Sequence, residues 1–478
     1  MRTNVIIRNK LGLRAWWVIA HIIFLTGTDA RLVCALVPDV TPSQKSDEAS
    51  DPQANTMFPE TVDHGRLYVA GQMNFIYQTN PAFYATYSGP NSFQPYYQKA
   101  ASRVLTFYSG YQFSSSSEAL LDVEEAGGQG LSQALGIAGF VNLDAVRNPT
   151  LGQSPYFARL MFHHVIALSD KKVEADPTPL STFSELPARR LELRTGKFGM
   201  SDFFDVNGVG SDSHFQFMNW AIDQNGAYDY AADTRGYTWG GIVEYQNRAW
   251  GFRFAEALMP SVANGSHLVW NLSQARGESY EFELHRGILP RKDGTVRLLS
   301  FVNHANMGIY RVAVGQYLDG EVAKPDITNH PLQTTMKYGF GINLEQALTK
   351  NVTAYGRFGW NNGKTESYAY TEIDQTFSGG VAVNGRQWGR AHDRCGVAFA
   401  SNAISRYHQA YLALGGDGFI LGDGALNYGR EKIVETYYTA HLWRGFYASP
   451  DIQYVVNPGY NRNRGPVIVP GFRLHVEL

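Results

Sequence analysis

Sulfur, surplus charge and long apolar runs are all scarce in this chain. It holds two cysteines in 478 residues, Cys34 and Cys395, and the first falls in a stretch that reads as a removable leader. No intramolecular disulfide is therefore expected in the mature protein, and an exported chain without that staple needs either a large core or a closed hydrogen-bonded sheet. The 41 Lys and Arg against 43 Asp and Glu leave a formal net charge of -2, which offers no basic surplus to a nucleic-acid partner. The main apolar run, Ala15 to Leu25, is well short of the roughly 20 residues of a spanning helix. G-x-S-x-G, H-E-x-x-H, a Walker loop and paired cysteine ligands are all missing. No cofactor or metal is expected, since tandem His163 and His164 face opposite sides of a strand.

Glycine and aromatic residues are plentiful instead, with Gly 48, Tyr 28 and Phe 27. Many turns and many aromatic anchors suit a strand-rich protein with an interface to cover. Arg2, Arg8, Lys10 and Arg14 come before or just ahead of the apolar run, and a V-C-A site ends at Ala35, so residues 1–35 read as a secretory signal peptide. Pro38 to Pro59 is rich in Pro, Ser, Asp and Gln, which makes residues 36–62 a flexible periplasmic leader. From 63 to 478 the texture is uniform. Short period-two runs alternate with Gly, Asn, Asp and Pro clusters, as in a single β-domain.

The terminal FRLHVEL shows the pattern: Phe472, Leu474, Val476 and Leu478 share one parity, and Arg473, His475 and Glu477 the other. An extended strand sorts them onto two faces. The same division sets Leu191 and Leu193 against Arg190, Glu192 and Arg194; Tyr280, Phe282 and Leu284 against Glu281, Glu283 and His285; and Ile452, Tyr454 and Val456 against Asp451 and Gln453. Glu435, Tyr437 and His441 likewise oppose Tyr438, Ala440 and Leu442, and Asp122 and Glu124 oppose Leu121 and Val123.

A soluble sandwich and a transmembrane barrel both produce this alternation, with the faces reversed. Three features favour the barrel. Aromatic residues gather near strand ends, at Phe75, Tyr77, Trp239, Trp250, Phe252, Trp360 and Trp443 to Tyr447, where rings suit lipid headgroups. The sequence closes on a strand. About 443 residues follow the signal peptide, roughly 28 per strand and connection if there are sixteen strands. Helical spacing is rare; the best candidate is Gly130 to Asn142, with Leu131, Ala134, Leu135 and Ala138 on one face. That short helix belongs in an early long loop, which either folds into the mouth or caps the surface. The glycine-rich Gly415 to Gly424 reads as a loosened hairpin.

Several stretches resemble the carbohydrate-selective porins of the OprB type: YGRFGWNNG, GRAHDRCGVAFA, GGDGFILGDGALNYG, ETYYTAHLWRGFYASPDIQYVVNPG, the terminal GFRLHVEL, and upstream LRTGKFGMSDFFDVN with FMN at Phe217 to Asn219 and GLSQALGIAGFVN. The resemblance implies an all-β fold, a 16-stranded antiparallel β-barrel in the bacterial outer membrane, with a constriction of charged and aromatic side chains that passes sugars by diffusion. The chain departs from the family in ending on Leu478 rather than an aromatic residue recognised by the barrel-assembly machinery. Pro470 is a second departure, placed just before the closing strand.

A sugar channel must replace lost water hydrogen bonds without trapping its solute, which Arg forks, carboxylates and aromatic faces do. By parity the pore-lining, sugar-contacting candidates are Arg190, Glu192, Arg194, Glu281, Glu283, His285, Glu435, Asp451, Arg473 and Glu477. The expected partners are mono- or oligosaccharides, outer-membrane lipid and the assembly machinery. The alternative is an outer-membrane or secreted polysaccharide-acting enzyme using Glu281 and Glu283, which sit about 7 Å apart on one strand face.

Overall fold

In the computed structural model, residues 61–62, 65–146, 151–290 and 292–478 are described. The expected signal peptide and nearly all of the expected leader lie outside them. Among the described residues, strand-forming runs in the sequence become the sixteen strands of a barrel wall: β1 Leu67–Asn80, β2 Gln98–Ser114, β3 Ser117–Gly128, β4 Tyr156–Ala167, β5 Arg190–Phe198, β6 Thr238–Gln246, β7 Trp250–Ala257, β8 Arg276–Leu284, β9 Gly294–Ala305, β10 Thr335–Ala347, β11 Val352–Asn361, β12 Gln375–Asn384, β13 Arg394–Ala403, β14 Glu431–Trp443, β15 Phe446–Val456 and β16 Val467–Glu477. Each pairs antiparallel with the next, and β16 returns to β1, with Gly471 opposite Gln78 and Glu477 opposite Gln72. The sheet is closed, so its sixteen strands leave no edge for another chain. Thr61–Val62 adds a short pairing to Tyr68 and Leu67, just ahead of the expected start at 63.

Period-two patterning sets the faces. On β16, Phe472 and Leu474 are 43% and 45% exposed, whereas Arg473 and His475 are buried. Phe107, Phe162, Phe340, Phe377 and Ile452 are likewise exposed, forming an oily outer surface. Connections alternate in length around the ring. The links 115–116, 247–249, 348–351 and 444–445 lie at one end, against 129–155, 199–237, 306–334 and 404–430 at the other.

Four expectations change. Leu131–Ala134 is a single 3-10 turn, and Ser132, Gln133 and Ala134 all have positive φ, so the spacing from Gly130 to Asn142 does not produce an α-helical face. Its apolar residues are instead buried on several sides. Gly415 to Gly424 is not a strand hairpin; Gly418 N–H closes a turn onto the Leu421 carbonyl, and Asn91 bridges to Gly422. Tyr447 turns inward and packs on Phe215, with ring centroids 4.9 Å apart, while its neighbour Phe446 stays outside. Pro470 lies inside β16 rather than before it. There it opposes Ile452, and pairing to β1 begins only at Gly471, so its missing N–H falls where the strand has one neighbour.

Candidate functional site

A loop inside a barrel must find partners for its backbone groups, because buried unpaired amides and carbonyls cost free energy. The connection 199–237 between β5 and β6 turns into the lumen, and wall side chains meet that demand. Glu435 on β14 accepts from the Met218 and Asn219 N–H groups at 2.6 and 3.2 Å. Arg473 on β16 donates to the Ser213 and Gln216 carbonyls at 2.5 and 2.9 Å. Glu281 on β8 accepts from Asp205 N–H at 2.6 Å. On β11, Arg357 donates to the Ile222 and Asp205 carbonyls, each at 2.9 Å, and pairs with the Asp205 carboxylate at 2.6 Å. Apolar side chains of the same loop, among them Phe204, Phe217, Trp220 and Ile222, form a core inside the barrel. Trp220 stacks on Tyr370 with centroids 5.4 Å apart.

The connection 129–155 is anchored in the same way. Ala138 and Gly139 N–H donate to Glu431 at 3.0 and 2.8 Å, and Gln78 and Gln453 donate to the Val141 carbonyl. Of the two placements open from sequence, this loop therefore takes the one within the mouth.

Around β5 to β10 the wall charges join into a belt. Arg190 pairs with Glu192 at 2.5 Å, Glu192 with Arg194, Arg194 with Glu244 at 3.1 Å, and Glu244 with Arg253 at 3.0 Å. Arg253 continues to Glu281 and Glu283 at 2.7 and 3.0 Å, and Glu283 to Arg297 and His285 at 3.3 and 3.1 Å. At its far end His163 lies between Glu118 and Glu192, at 2.7 and 2.9 Å. Glu118 also accepts Thr182 N–H from the connection 168–189.

The ten residues picked by parity thus occupy different settings. Glu192, Glu281, Glu435, Asp451 and Arg473 retain no more than 2% of their surface. Glu281, Glu435 and Arg473 are engaged with loop 199–237; Glu192 belongs to the belt; and Asp451 lies near Glu435, accepting from Gln453 at 3.4 Å. Arg194 and Glu283 are nearly as deep. Arg190, His285 and Glu477 keep some exposure, the last accepting from the His475 ring Nε2 at 2.6 Å.

Between loop 199–237 and β2 to β4 lies a cavity of about 240 Å³, toward the end of the barrel with the long connections. Arg159 reaches it by donating to Asp122 at 2.8 Å and to Asp202 at 2.8 and 2.6 Å. Glu124 accepts from the Tyr156 hydroxyl and, at 3.1 Å, from that of Tyr237. The Arg235 guanidinium lies 3.8 Å over the Tyr156 ring. His214 faces Asp144 at 3.5 Å and so joins the two inserted loops. Burial opposes charge on the imidazole, but the Asp144 carboxylate outweighs it and raises His214 to about 9. Against the same desolvation, His214 holds the Asp144 carboxyl below its ordinary value, helped by Asn74.

Parity in EALLDVEEAG places Asp122 and Glu124 on the polar side, so that signal leads to part of the cavity. Arg159 is hidden from it. Asp122 opposes Arg159 but Val123 opposes Phe157, so β4 carries a bulge at Ala158 that breaks the period of two. Tyr237, His214, Arg235 and Asp144 come from loops, for which strand parity gives no guide.

A closed barrel with an oily exterior, a polar lumen and an inserted loop defines a porin-class membrane channel. Its residues 115–478 match the carbohydrate-selective porin, OprB family, and the chain belongs to that family. Among solved structures it is similar to Pseudomonas putida OprB at high pH, with 15% identity, a TM-score of 0.66, and coverage of 87% of this chain and 95% of that one. That likeness shows the fold. Against the low-pH structure of Pseudomonas putida OprB the identity is 11% and the TM-score 0.47, over 87% of this chain and 93% of that one. No curated protein matches the sequence.

Proposed function

We propose that this barrel lets carbohydrates diffuse passively across the bacterial outer membrane, with its selectivity set by the space that loop 199–237 leaves in the lumen. The observation that carries this reading is the 240 Å³ cavity, edged by carboxylates, guanidinium groups and tyrosines. Those groups offer acceptors, forked donors and rings, which is the chemistry a polyhydroxylated neutral solute needs. The partners are mono- or oligosaccharides in the lumen, lipid against the outer face and the barrel-assembly machinery during insertion. Export uses residues 1–35 as a signal peptide, followed by a periplasmic leader. Among the ten wall residues, Arg190, His285 and Glu477 are direct sugar contacts, and the other seven act as the frame behind the constriction.

The enzyme alternative is less well supported by the geometry. Glu281 and Glu283 both pair with Arg253, and Glu281 is 1% exposed beneath Asp205. A polysaccharide would have to displace the loop to reach them. The deciding experiment is planar-bilayer recording of the purified protein with a panel of sugars. Stepwise conductance partly blocked by sugar, together with faster gel migration before boiling than after, is expected; a protein that forms no conducting unit overturns the reading.

A further inference from the structure

We propose that Glu124, Tyr156 and Arg235 form the solute-selecting subsite of the channel, an assignment that rests on the sugar-channel reading and deepens it. A selecting group needs surface toward the lumen and hydrogen-bonding capacity not already used. Most wall charges lack both. Within the cavity, Arg159 is taken up by Asp122 and Asp202, and His214 by Asp144.

Glu124 and Arg235 differ from these. Both are half-buried and line the cavity. Among the described residues, no ion pair links either one to an opposite charge. Among the described residues, Glu124 accepts only from the hydroxyls of Tyr156, Tyr237 and Thr106. The Arg235 side chain donates to the Gly152 carbonyl at 3.1 Å, which leaves most of the five N–H donors of a guanidinium unused.

Tyr156 holds the two charges beside each other. Its ring lies 3.8 Å beneath the Arg235 guanidinium, and its hydroxyl donates to Glu124. An acceptor and a planar donor are thereby presented on one rim of the cavity. Vicinal hydroxyls fit that pair, one donating to the carboxylate and its neighbour accepting from the guanidinium. Because the charges are opposite, the rim suits a neutral polyol over either sign of ion. Removing one charge exposes the other.

The test is current block in planar bilayers, with glucose as the neutral probe and gluconate as the acidic one. It uses the full-length protein, Glu124→Gln and Arg235→Gln, each confirmed as a folded barrel by heat-dependent gel migration. Losing one charge-assisted hydrogen bond is expected to weaken glucose block about tenfold in each variant. In Glu124→Gln, gluconate should block more strongly than glucose, because Arg235 then stands without its opposing carboxylate. Tyr156→Phe serves if either variant does not fold; it removes only the hydroxyl and should shift block in the same direction. Glucose block within twofold of the unaltered protein in every folded variant overturns the assignment while leaving the channel reading intact. An unaltered protein that conducts but is blocked by no sugar defeats the reading itself.

Discussion

Arg473 ties the closing strand to the middle of the inserted loop, and Arg473→Ala separates the barrel's stability from its constriction. Its guanidinium donates to the Ser213 and Gln216 carbonyls and, at 3.1 Å each, to the Thr439 and Ser449 hydroxyls. The hydroxyls can turn to each other, being 2.8 Å apart. The two loop carbonyls have no such recourse. Leaving each buried and unpaired costs about 1–3 kcal/mol, so the docked loop loses about 2–6 kcal/mol. Water entering the vacated space holds the cost near the lower bound, and about 2 kcal/mol already multiplies the undocked population about thirtyfold. The sixteen-strand pairing does not depend on this side chain, so heat-dependent gel migration should be retained. Single-channel recording should show larger or noisier conductance and altered sugar block, and amide exchange should rise across 213–219. Unchanged current, block and exchange together would refute the loop-anchor reasoning.

The His214 and Asp144 pair gives a pH dependence of definite sign. His214 is raised from 6.5 to about 9, so its stabilisation is complete below about 6.5 and is lost as pH rises through about 9, while Asp144, held below 3.8, loses its share only as pH falls beneath that value. Sugar block should therefore be steady near pH 5–6.5 and weaken toward 9, with that slope flattened in His214→Asn; equal slopes in both proteins would remove the pair as the cause. Val397 is 46% exposed in the middle of β13, and Val397→Lys should lower folding stability in lipid vesicles by about 2–4 kcal/mol if that face meets hydrocarbon. Denaturant titration measures it, and an unaltered midpoint would contradict the outward placement.

Strand parity made the barrel legible and left its constriction obscure, for a physical reason. Phe472 and Arg473 are adjacent in sequence and separate to opposite faces because a strand allows nothing else. Nothing local says that Arg473 will meet Ser213 and Gln216, which lie far away in the chain. The same holds for Glu435 with Met218 and for Arg357 with Asp205. Local spacing misled at Leu131 to Ala138, where apolar residues at helical intervals are buried by a left-handed turn docked on the wall. At Ala158 one extra residue shifts the period and brings Arg159 inward, beyond the reach of a rule that counts by twos.

Charge on the polar parity therefore has two uses that a sequence pattern does not separate. One use is outward from the wall to solute; the other is to replace water for a loop that has left it. The partner distinguishes them. Glu435 and Arg473 face backbone amides and carbonyls, groups that cannot leave without the loop leaving too, and both side chains are fully covered. Glu124 faces tyrosine and threonine hydroxyls that can rotate toward an arriving solute, and it keeps surface on the cavity. A passage site must release what it holds, so exchangeable partners belong at the rim and committed ones behind it. On that argument the wall charges fix the loop, the loop narrows the lumen, and the proposed rim of Glu124, Tyr156 and Arg235 is where selection is to be tested.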